Sequence, residues 1–321
     1  MPSLPDLPTE LLLEMVKHYP ELYLDFDARI HGVASEQFDG NDALRALSQT
    51  CRTLRRIFVP VLWAGVHACF TQRNNPEKNR ERHAQMLERR MIGIQKTRHA
   101  MCYIRSLSVS LAGVNMTNWQ PMAEFVRVLG VLPQLQHLTI VLVFNEIVPV
   151  LSTACQGKVF PSILSLGVDN DNLEMILPCF PNIKTLTFYP GSGCLPILRA
   201  LKGSCEHVHT LNNLILFAYN IECIRDSIPN VSRISVQQFA LELLRLLENM
   251  DNLSDLRIRY REPLRVHVVH GKPLPLLEEV VATAKRVLLT SKATGRKELH
   301  IQEFTGDILR KETLIIVGES T

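Results

Sequence analysis

Residues 133–140 read PQLQHLTI, and the same order of polar and apolar residues returns at 181–188 as PNIKTLTF. In the first stretch Leu135, Leu138 and Ile140 are apolar, which gives the spacing apolar-x-x-apolar-x-apolar. The last two apolar positions are separated by one residue, which is the alternation typical of a β-strand that buries one face. Each occurrence of this clause therefore predicts a short strand.

The clause recurs from about residue 104 to about residue 301. Its copies begin at Ile104, Leu135, Ile163, Ile183, Leu211, Val231 and Leu253, with a degenerate copy at Leu277. The first residues lie 20 to 31 positions apart, which resembles the period of about 20–29 residues of leucine-rich repeats. One such unit cannot bury its apolar edge alone, so the units must stack. We expect an α/β fold in which a leucine-rich-repeat solenoid, a curved parallel sheet with helices or loops outside, spans 101–310.

The composition gives no sign of a membrane or nucleic-acid partner. The chain has 321 residues, is 46% hydrophobic and carries a formal net charge of +3. No apolar run approaches the ~18 residues that a membrane span needs. Eight Lys or Arg face three Asp or Glu in residues 71–99, and we interpret 71–100 as a solvated basic linker helix. The last residues, 311–321, are predicted to form a terminal strand and tail.

Residues 1–70 have a different, helical pattern. Leu11, Leu12, Met15 and Val16 recur at helical spacing after Pro8, which suits a first helical position. A second helix is predicted from Asp42 to Phe58, to be ended or kinked by Pro60, with a third short apolar element at 61–63. Residues 20–41 lack a sustained period and are predicted to form a loop or weak helix inserted between the first two helices.

Two segments of this region resemble the F-box family. They are Leu7-Pro8-Thr9-Glu10-Leu11-Leu12 and Leu44-Arg45-Ala46-Leu47-Ser48-Gln49-Thr50-Cys51-Arg52. The resemblance implies a three-helix module that binds a Skp-type adaptor and, through it, a cullin and a RING subunit. Joined to leucine-rich repeats, it implies a fungal-type substrate receptor of a ubiquitin ligase (SCF). The positions that match the adaptor-binding residues of the family are Leu7, Pro8, Leu11, Leu12, Met15, Leu44, Leu47 and Leu54.

A second interpretation of the N-terminal helices stays open. Solenoids need polar-faced ends, so these helices could cap the first repeat. The chain would then be a leucine-rich-repeat scaffold or ligand sensor that joins no ligase.

Side chains that alternate with the buried positions of the strands should share the opposite, concave face. This reasoning places there the residues Tyr189, Phe217, Tyr219, Arg257, Arg259 and Arg261. Aromatic residues and arginines are enriched at binding hot spots, so this face is the predicted site for a protein target. Guanidinium groups favour an acidic or phosphorylated segment, although the arginines could equally be a solvated edge.

The sequence carries no motif for catalysis, cofactors or metals. Cys205-Glu206-His207-Val208-His209 and His267-Val268-Val269-His270 each lack the second half of a zinc site. Gly191-Ser192-Gly193 lacks the residues that complete a phosphate-binding loop. The eight scattered cysteines indicate reduced core thiols, so we expect a non-catalytic protein of the cytoplasm or nucleus that uses no cofactor.

Overall fold

The computed structural model describes residues 4–17, 39–68, 76–111, 119–141, 143–169, 171–189, 194–238, 240–261, 268–269, 272–273, 276–305 and 308–318. The chain divides into two compact units, Met1–Ile163 and Leu164–Thr321. Most of the insertion predicted at 20–41 lies outside the described residues. The segment 191–193 lies wholly outside them. Each unit contains strands and buried residues.

The first unit begins with helices and continues into alternating strands and helices. After a 3₁₀ turn at Leu4–Asp6, its elements are α1 (Thr9–Lys17), α2 (Asp39–Thr50), α3 (Arg52–Ala64), β1 (Gly65–Ala68), α4 (Pro76–Lys96), a 3₁₀ helix (Arg98–Tyr103), β2 (Ser106–Ser110), α5 (Trp119–Val131), β3 (His137–Val141) and α6 (Val148–Cys155).

The N-terminal helices pack around a small core of their own. Leu12 of α1 is buried against Leu44 of α2 and Leu54 and Phe58 of α3. The predicted second helix is in fact two helices, because the chain breaks at Cys51, whose extended backbone precedes α3. Pro60 was expected to end or kink a helix. It does not end α3, which continues through the predicted third element to Ala64.

The parallel sheet of the first unit starts before the first predicted clause. β1 pairs with β2 in parallel, Gly65 opposite Ser106, and β2 pairs with β3, Leu107 opposite Leu138. The sequence analysis did not identify β1, although its buried residues Val66 and Ala68 alternate with the half-buried Gly65 and His67. The α3 helix therefore leads directly into a strand of the sheet.

The second unit contains most of the repeats. Its elements are β4 (Ser165–Val168), a 3₁₀ helix (Asp171–Cys179), β5 (Thr185–Phe188), α7 (Leu195–Ala200), β6 (Thr210–Ile215), α8 (Ala218–Ser227), β7 (Arg233–Gln238), α9 (Leu241–Arg245), a 3₁₀ turn (Leu246–Asn249), β8 (Asp255–Arg261), β9 (Val268–Val269), β10 (Lys272–Pro273), α10 (Leu277–Thr290), β11 (Lys297–Thr305) and β12 (Ile308–Val317).

Register in this unit follows the middle apolar residue of each clause. Leu166 lies opposite Leu186, and Ile234 lies opposite Leu256. Strands β4 to β8 are parallel neighbours in sequence order, β11 pairs in parallel with β8, and β9 and β10 form a separate two-stranded sheet. The predicted mixed α/β fold with a parallel sheet of repeated strands is confirmed.

The clause in β6 begins three residues earlier than the sequence suggested. Leu211, not Leu214, lies opposite Leu186, so Val208 is the first apolar position and Leu211 the second. A register shift follows, and Leu214 rather than Asn213 then lies opposite Val236. Asn213 has a φ of 60°, a left-handed conformation that asparagine tolerates better than most residues. The predicted position of the clause in β6 was wrong because this bulge adds a residue between two buried positions.

The C-terminal end of the sheet differs from the prediction in two respects. The degenerate clause at Leu277 is not a strand, since Leu277–Thr290 is helix α10, with Val280, Ala284, Val287 and Leu288 buried on one side. The last strand was predicted within residues 311–321. It spans Ile308–Val317 and pairs antiparallel with β11.

The seven cysteines of the described residues form no disulfide, and four of them are buried, Cys155, Cys179, Cys194 and Cys205. Burial raises the pKa of the Cys205 thiol to about 11, which suits a core thiol rather than a nucleophile. None of the helices in the described part of the chain combines the length and the apolar character that crossing a membrane requires.

Candidate interaction surfaces

Charged and polar side chains share one face of strands β7, β8 and β11. Leu256 and Ile258 of β8 are fully buried, so Arg257 and Arg259, which alternate with them, point to the opposite face. Parallel register continues this face to Ser235 of β7 and to His300 of β11. We call it the polar face, defined by residues Arg233, Ser235, Asp255, Arg257, Arg259, Glu298, His300 and Gln302.

Asp255 is the centre of an ion-pair network on the polar face. Its side chain is 7% exposed, and its Oδ2 atom accepts hydrogen bonds from Nε of Arg233 at 2.5 Å and from a terminal nitrogen of Arg257 at 3.3 Å. The second oxygen lies 3.4 Å from Nε of Arg257. Two guanidinium groups therefore compensate one buried carboxylate.

His300 extends this network to the next strand. Its Nε2 atom lies 3.3 Å from a carboxylate oxygen of Glu298 and 3.9 Å from Oδ1 of Asp255. Asp255, Glu298 and His300 are the only potential ligands in the described residues that cluster as a metal site would. Because Arg233 and Arg257 already supply positive charge to Asp255, we interpret the cluster as an ion-pair network.

Arg259 stacks on an aromatic ring of the neighbouring strand. Its guanidinium carbon lies 5.1 Å from the ring centroid of Phe304, within cation–π distance. Arg257 is thus engaged by Asp255 and Arg259 by Phe304, while the side chain of Arg261 is outside the described residues. The sequence predicted that the arginines share one face, and Arg257 and Arg259 of β8 do so. The sequence did not reveal which residues they contact.

Charges on the polar face nearly balance. Arg233, Arg257 and Arg259 are positive, whereas Asp255 and Glu298 are negative, and Glu312 of β12 lies opposite Gln302 on the same side. The described side chains therefore give this face no marked positive charge. Its preference for an acidic or phosphorylated segment stays a prediction.

Apolar side chains continue the polar face onto the last strand. In the antiparallel register Leu314 lies opposite His300 and Ile316 opposite Glu298, and paired residues point to the same side. Both are exposed. The sequence analysis missed them as surface residues, because Leu314-Ile315-Ile316-Val317 is a continuous apolar run in which polarity does not alternate.

The predicted aromatic residues do not lie on strands. Tyr189 directly follows β5, and its N–H donates to the carbonyl of Val168. Phe217 precedes α8 and Tyr219 belongs to it, where their rings stack with centroids 5.2 Å apart and planes 5° apart. The bulge in β6 and the early start of α8 displace this pair from the positions that strict alternation assigned to it.

The N-terminal helix α1 exposes an apolar stripe. Leu11 is 54% and Met15 46% exposed, although they are one helical turn apart and Leu12 between them is 1% exposed. Residues four apart lie on one side of a helix. Leu11 and Met15 therefore form one surface, with Pro8 exposed a turn before them.

The other predicted adaptor-binding positions belong wholly or partly to the core of this helical region. Leu12, Leu44 and Leu54 are buried, while Leu7 and Leu47 are partly buried against them. The structure thus separates two roles that the sequence could not separate. Leu11, Met15 and Pro8 are available for contact, whereas Leu12, Leu44 and Leu54 hold the helices together.

Comparison with known proteins finds similarity among solved structures. No model of a protein family matches the sequence, and no curated protein matches it. A solved structure that resembles the chain is the leucine-rich repeat-containing protein LegL7 from Legionella pneumophila, with 15% sequence identity, 70% of each chain covered and a TM-score of 0.41. The repeat architecture described above follows from the strand register of this chain and does not depend on that likeness.

Proposed function

We propose that the chain is the non-catalytic substrate-recognition subunit of an SCF-type ubiquitin ligase. In this proposal α1 binds a Skp-type adaptor, which links to a cullin and its RING subunit, and the repeats bind a target protein. The observation that carries it is the exposed stripe of Leu11 and Met15 on a helix whose neighbouring Leu12 is buried.

Two features support a protein as the occupant of this stripe. An exposed apolar pair gains free energy when a partner removes it from water, by about 25 cal/mol per Å². The stripe also begins at Leu7-Pro8-Thr9-Glu10-Leu11, the segment that resembles the F-box start. Because Leu12, Leu44 and Leu54 stabilise the helices from inside, the stripe can bind without unfolding them.

The polar face and the adjoining Leu314 and Ile316 are the proposed surface for the target. Exposed aliphatic residues beside arginines combine apolar burial with directional hydrogen bonds, a common composition of protein interfaces. The ligase would act by proximity, since the target is held near the ubiquitin-charged enzyme and its lysines reach a high effective concentration. No bond chemistry by this chain is needed.

A titration of the purified chain against the Skp-type adaptor tests the first half. We expect a Kd of ~1 μM or tighter and a loss of at least about a hundredfold in the Leu11→Asp/Met15→Asp variant, because two carboxylates would be buried in an apolar contact. Circular dichroism and thermal unfolding should be unchanged, since both side chains face solvent.

The control is Val131→Asp/Val159→Asp, which changes two exposed apolar residues elsewhere in the first unit. This variant should bind the adaptor like the wild type. If the folded wild-type chain fails to bind, or if both variants bind alike, the receptor proposal is wrong. The alternative is then a repeat scaffold whose N-terminal helices are a cap.

A further inference from the structure

A cavity of about 410 Å³ lies in the first unit between α2, α3, β1 and α4. This volume is within the range of about 300–1,000 Å³ usual for small-molecule sites. Its walls include Arg45 of α2, Trp63 of α3, His67 of β1, and Arg89 and Arg90 of α4. The cavity is separate from the α1 stripe and from the polar face.

Positive charge predominates around the cavity. Of its three arginines, Arg45 pairs with Asp42 at 2.7 Å, and Asp42 is the one acidic residue of the lining. Arg89 and Arg90 form no ion pair within the part of the chain that the structure describes. The lining therefore has a net charge of about +2 when His67 is neutral.

The arginines are close enough to repel one another. Desolvation and then the charge of Arg45 lower the pKa of Arg90. Burial and then the charge of Arg90 lower the pKa of His67 to about 4, so its imidazole is neutral at physiological pH. Asp42 compensates only one of the three arginines, and a bound anion would relieve the remaining repulsion.

His67 and Trp63 complete the wall of the cavity. Nδ1 of His67 is closed to solvent and has no hydrogen-bond partner among the described residues, so this atom offers no donor to a ligand in the cavity. Trp63 supplies an aromatic surface at the same cavity.

We propose that this cavity binds a small molecule that carries two or more phosphate groups. Guanidinium groups from two helices match phosphate oxygens in charge and geometry, and the cavity is too small for a folded partner. Neither a free polyphosphate nor a nucleotide is singled out by the arginines. Trp63 distinguishes them, because a nucleobase can stack on its ring.

The test uses the fluorescence of Trp63 in the full chain. The protein has two tryptophans, so Trp119→Phe leaves Trp63 as the only indole. We expect pyrophosphate and ADP to change its emission saturably, with half-saturation below ~1 mM, and sodium chloride at the same ionic strength to have no such effect. Tighter binding of ADP would indicate a nucleotide, and equal binding would indicate the phosphates alone.

Charge variants then locate the site. In the Trp119→Phe background, Arg89→Gln/Arg90→Gln should weaken pyrophosphate binding about ten- to a hundredfold, as expected when charge-assisted hydrogen bonds are lost. Arg56→Gln is the control, since Arg56 is exposed on α3 and does not line the cavity. It should change binding less than about twofold.

A substitution that fills part of the cavity provides a second test and leaves all the charged residues of the lining unchanged. Gly93 lines the cavity, and a Cβ atom built on it meets nothing within 4 Å. Gly93→Leu should therefore fit, favour the α4 helix, and reduce binding at least about tenfold by occupying ligand space. Absence of a saturable signal in the Trp119→Phe protein, or binding that survives both Gly93→Leu and the arginine changes, overturns the proposal.

Discussion

Asp255 shows how a single residue organises the polar face. Its buried carboxylate is held by Arg233 and Arg257, so Asp255→Asn would leave two guanidinium groups facing each other without an anion. A fully buried broken pair costs about 3–5 kcal/mol. Because both arginines are more than a third exposed, solvent screens their repulsion, and we expect a loss of about 1–2 kcal/mol in urea unfolding.

Asp251→Asn is the matched control for this substitution. Asp251 pairs with Lys292 at 2.9 Å, but both side chains are largely exposed. Exposed pairs contribute about 0.5 kcal/mol or less, so the control should unfold almost like the wild type. Equal effects of the two changes would show that the network around Asp255 adds no stability.

Among the elements, α3 carries a structural cost inside it. Pro60 has no N–H to donate to the helix and lies nine positions into its 13 residues. Pro60→Ala restores that donor, a gain of up to about 3 kcal/mol, offset by about 0.4–1 kcal/mol because alanine frees the unfolded chain. We expect a net stabilisation of about 1–2 kcal/mol in thermal or urea unfolding.

Pro229→Ala is a comparison for which we expect the opposite change in stability. It is exposed in the turn before β7, and its carbonyl accepts a hydrogen bond from Asn252 at 2.8 Å. Pro229→Ala keeps that carbonyl but loses the rigidity of the proline ring, so stability should fall by about 0.4–1 kcal/mol. If Pro60→Ala also destabilises the protein, proline at this position stabilises α3 and the proposed structural cost of Pro60 is wrong.

At the scale of the whole molecule, the two units should lose stability separately. Each repeat of a repeat protein contacts only its neighbouring repeats. Each of the two compact units also has buried residues of its own. Leu256→Ala, a substitution in the core of β8, should cost about 2–5 kcal/mol. We expect hydrogen exchange to increase in residues 164–321 while 1–163 keep their protection.

The reciprocal variant is Phe125→Ala in α5, which is also fully buried. It should cost about 3–5 kcal/mol and expose amides of the first unit only. Loss of protection over the whole chain in either variant would mean that the protein unfolds in one cooperative step.

The repeated strands could be predicted from sequence because burial imposes a local periodicity. Leu107, Leu138, Leu166, Leu186, Ile234 and Leu256 each occupy the middle position of a clause, and each is buried in register with its neighbour. The prediction failed at β6, where a bulge inserts a residue, and at Leu277, where the same spacing of apolar residues fits a helix. A short apolar pattern is compatible with both elements, and length alone separates them.

The sequence by itself determined the parallel repeat fold, the position of most strands and the helical character of the first residues. Only the tertiary structure decided which leucines of α1 to α3 are core and which are exposed, and it alone brought Asp255, Glu298 and His300 together and gathered Arg45, Arg89 and Arg90 around one cavity. The physical reason is range: strand and helix patterns are set by neighbours along the chain, whereas ion pairs and cavities depend on side chains that are distant in sequence and meet only when the elements pack.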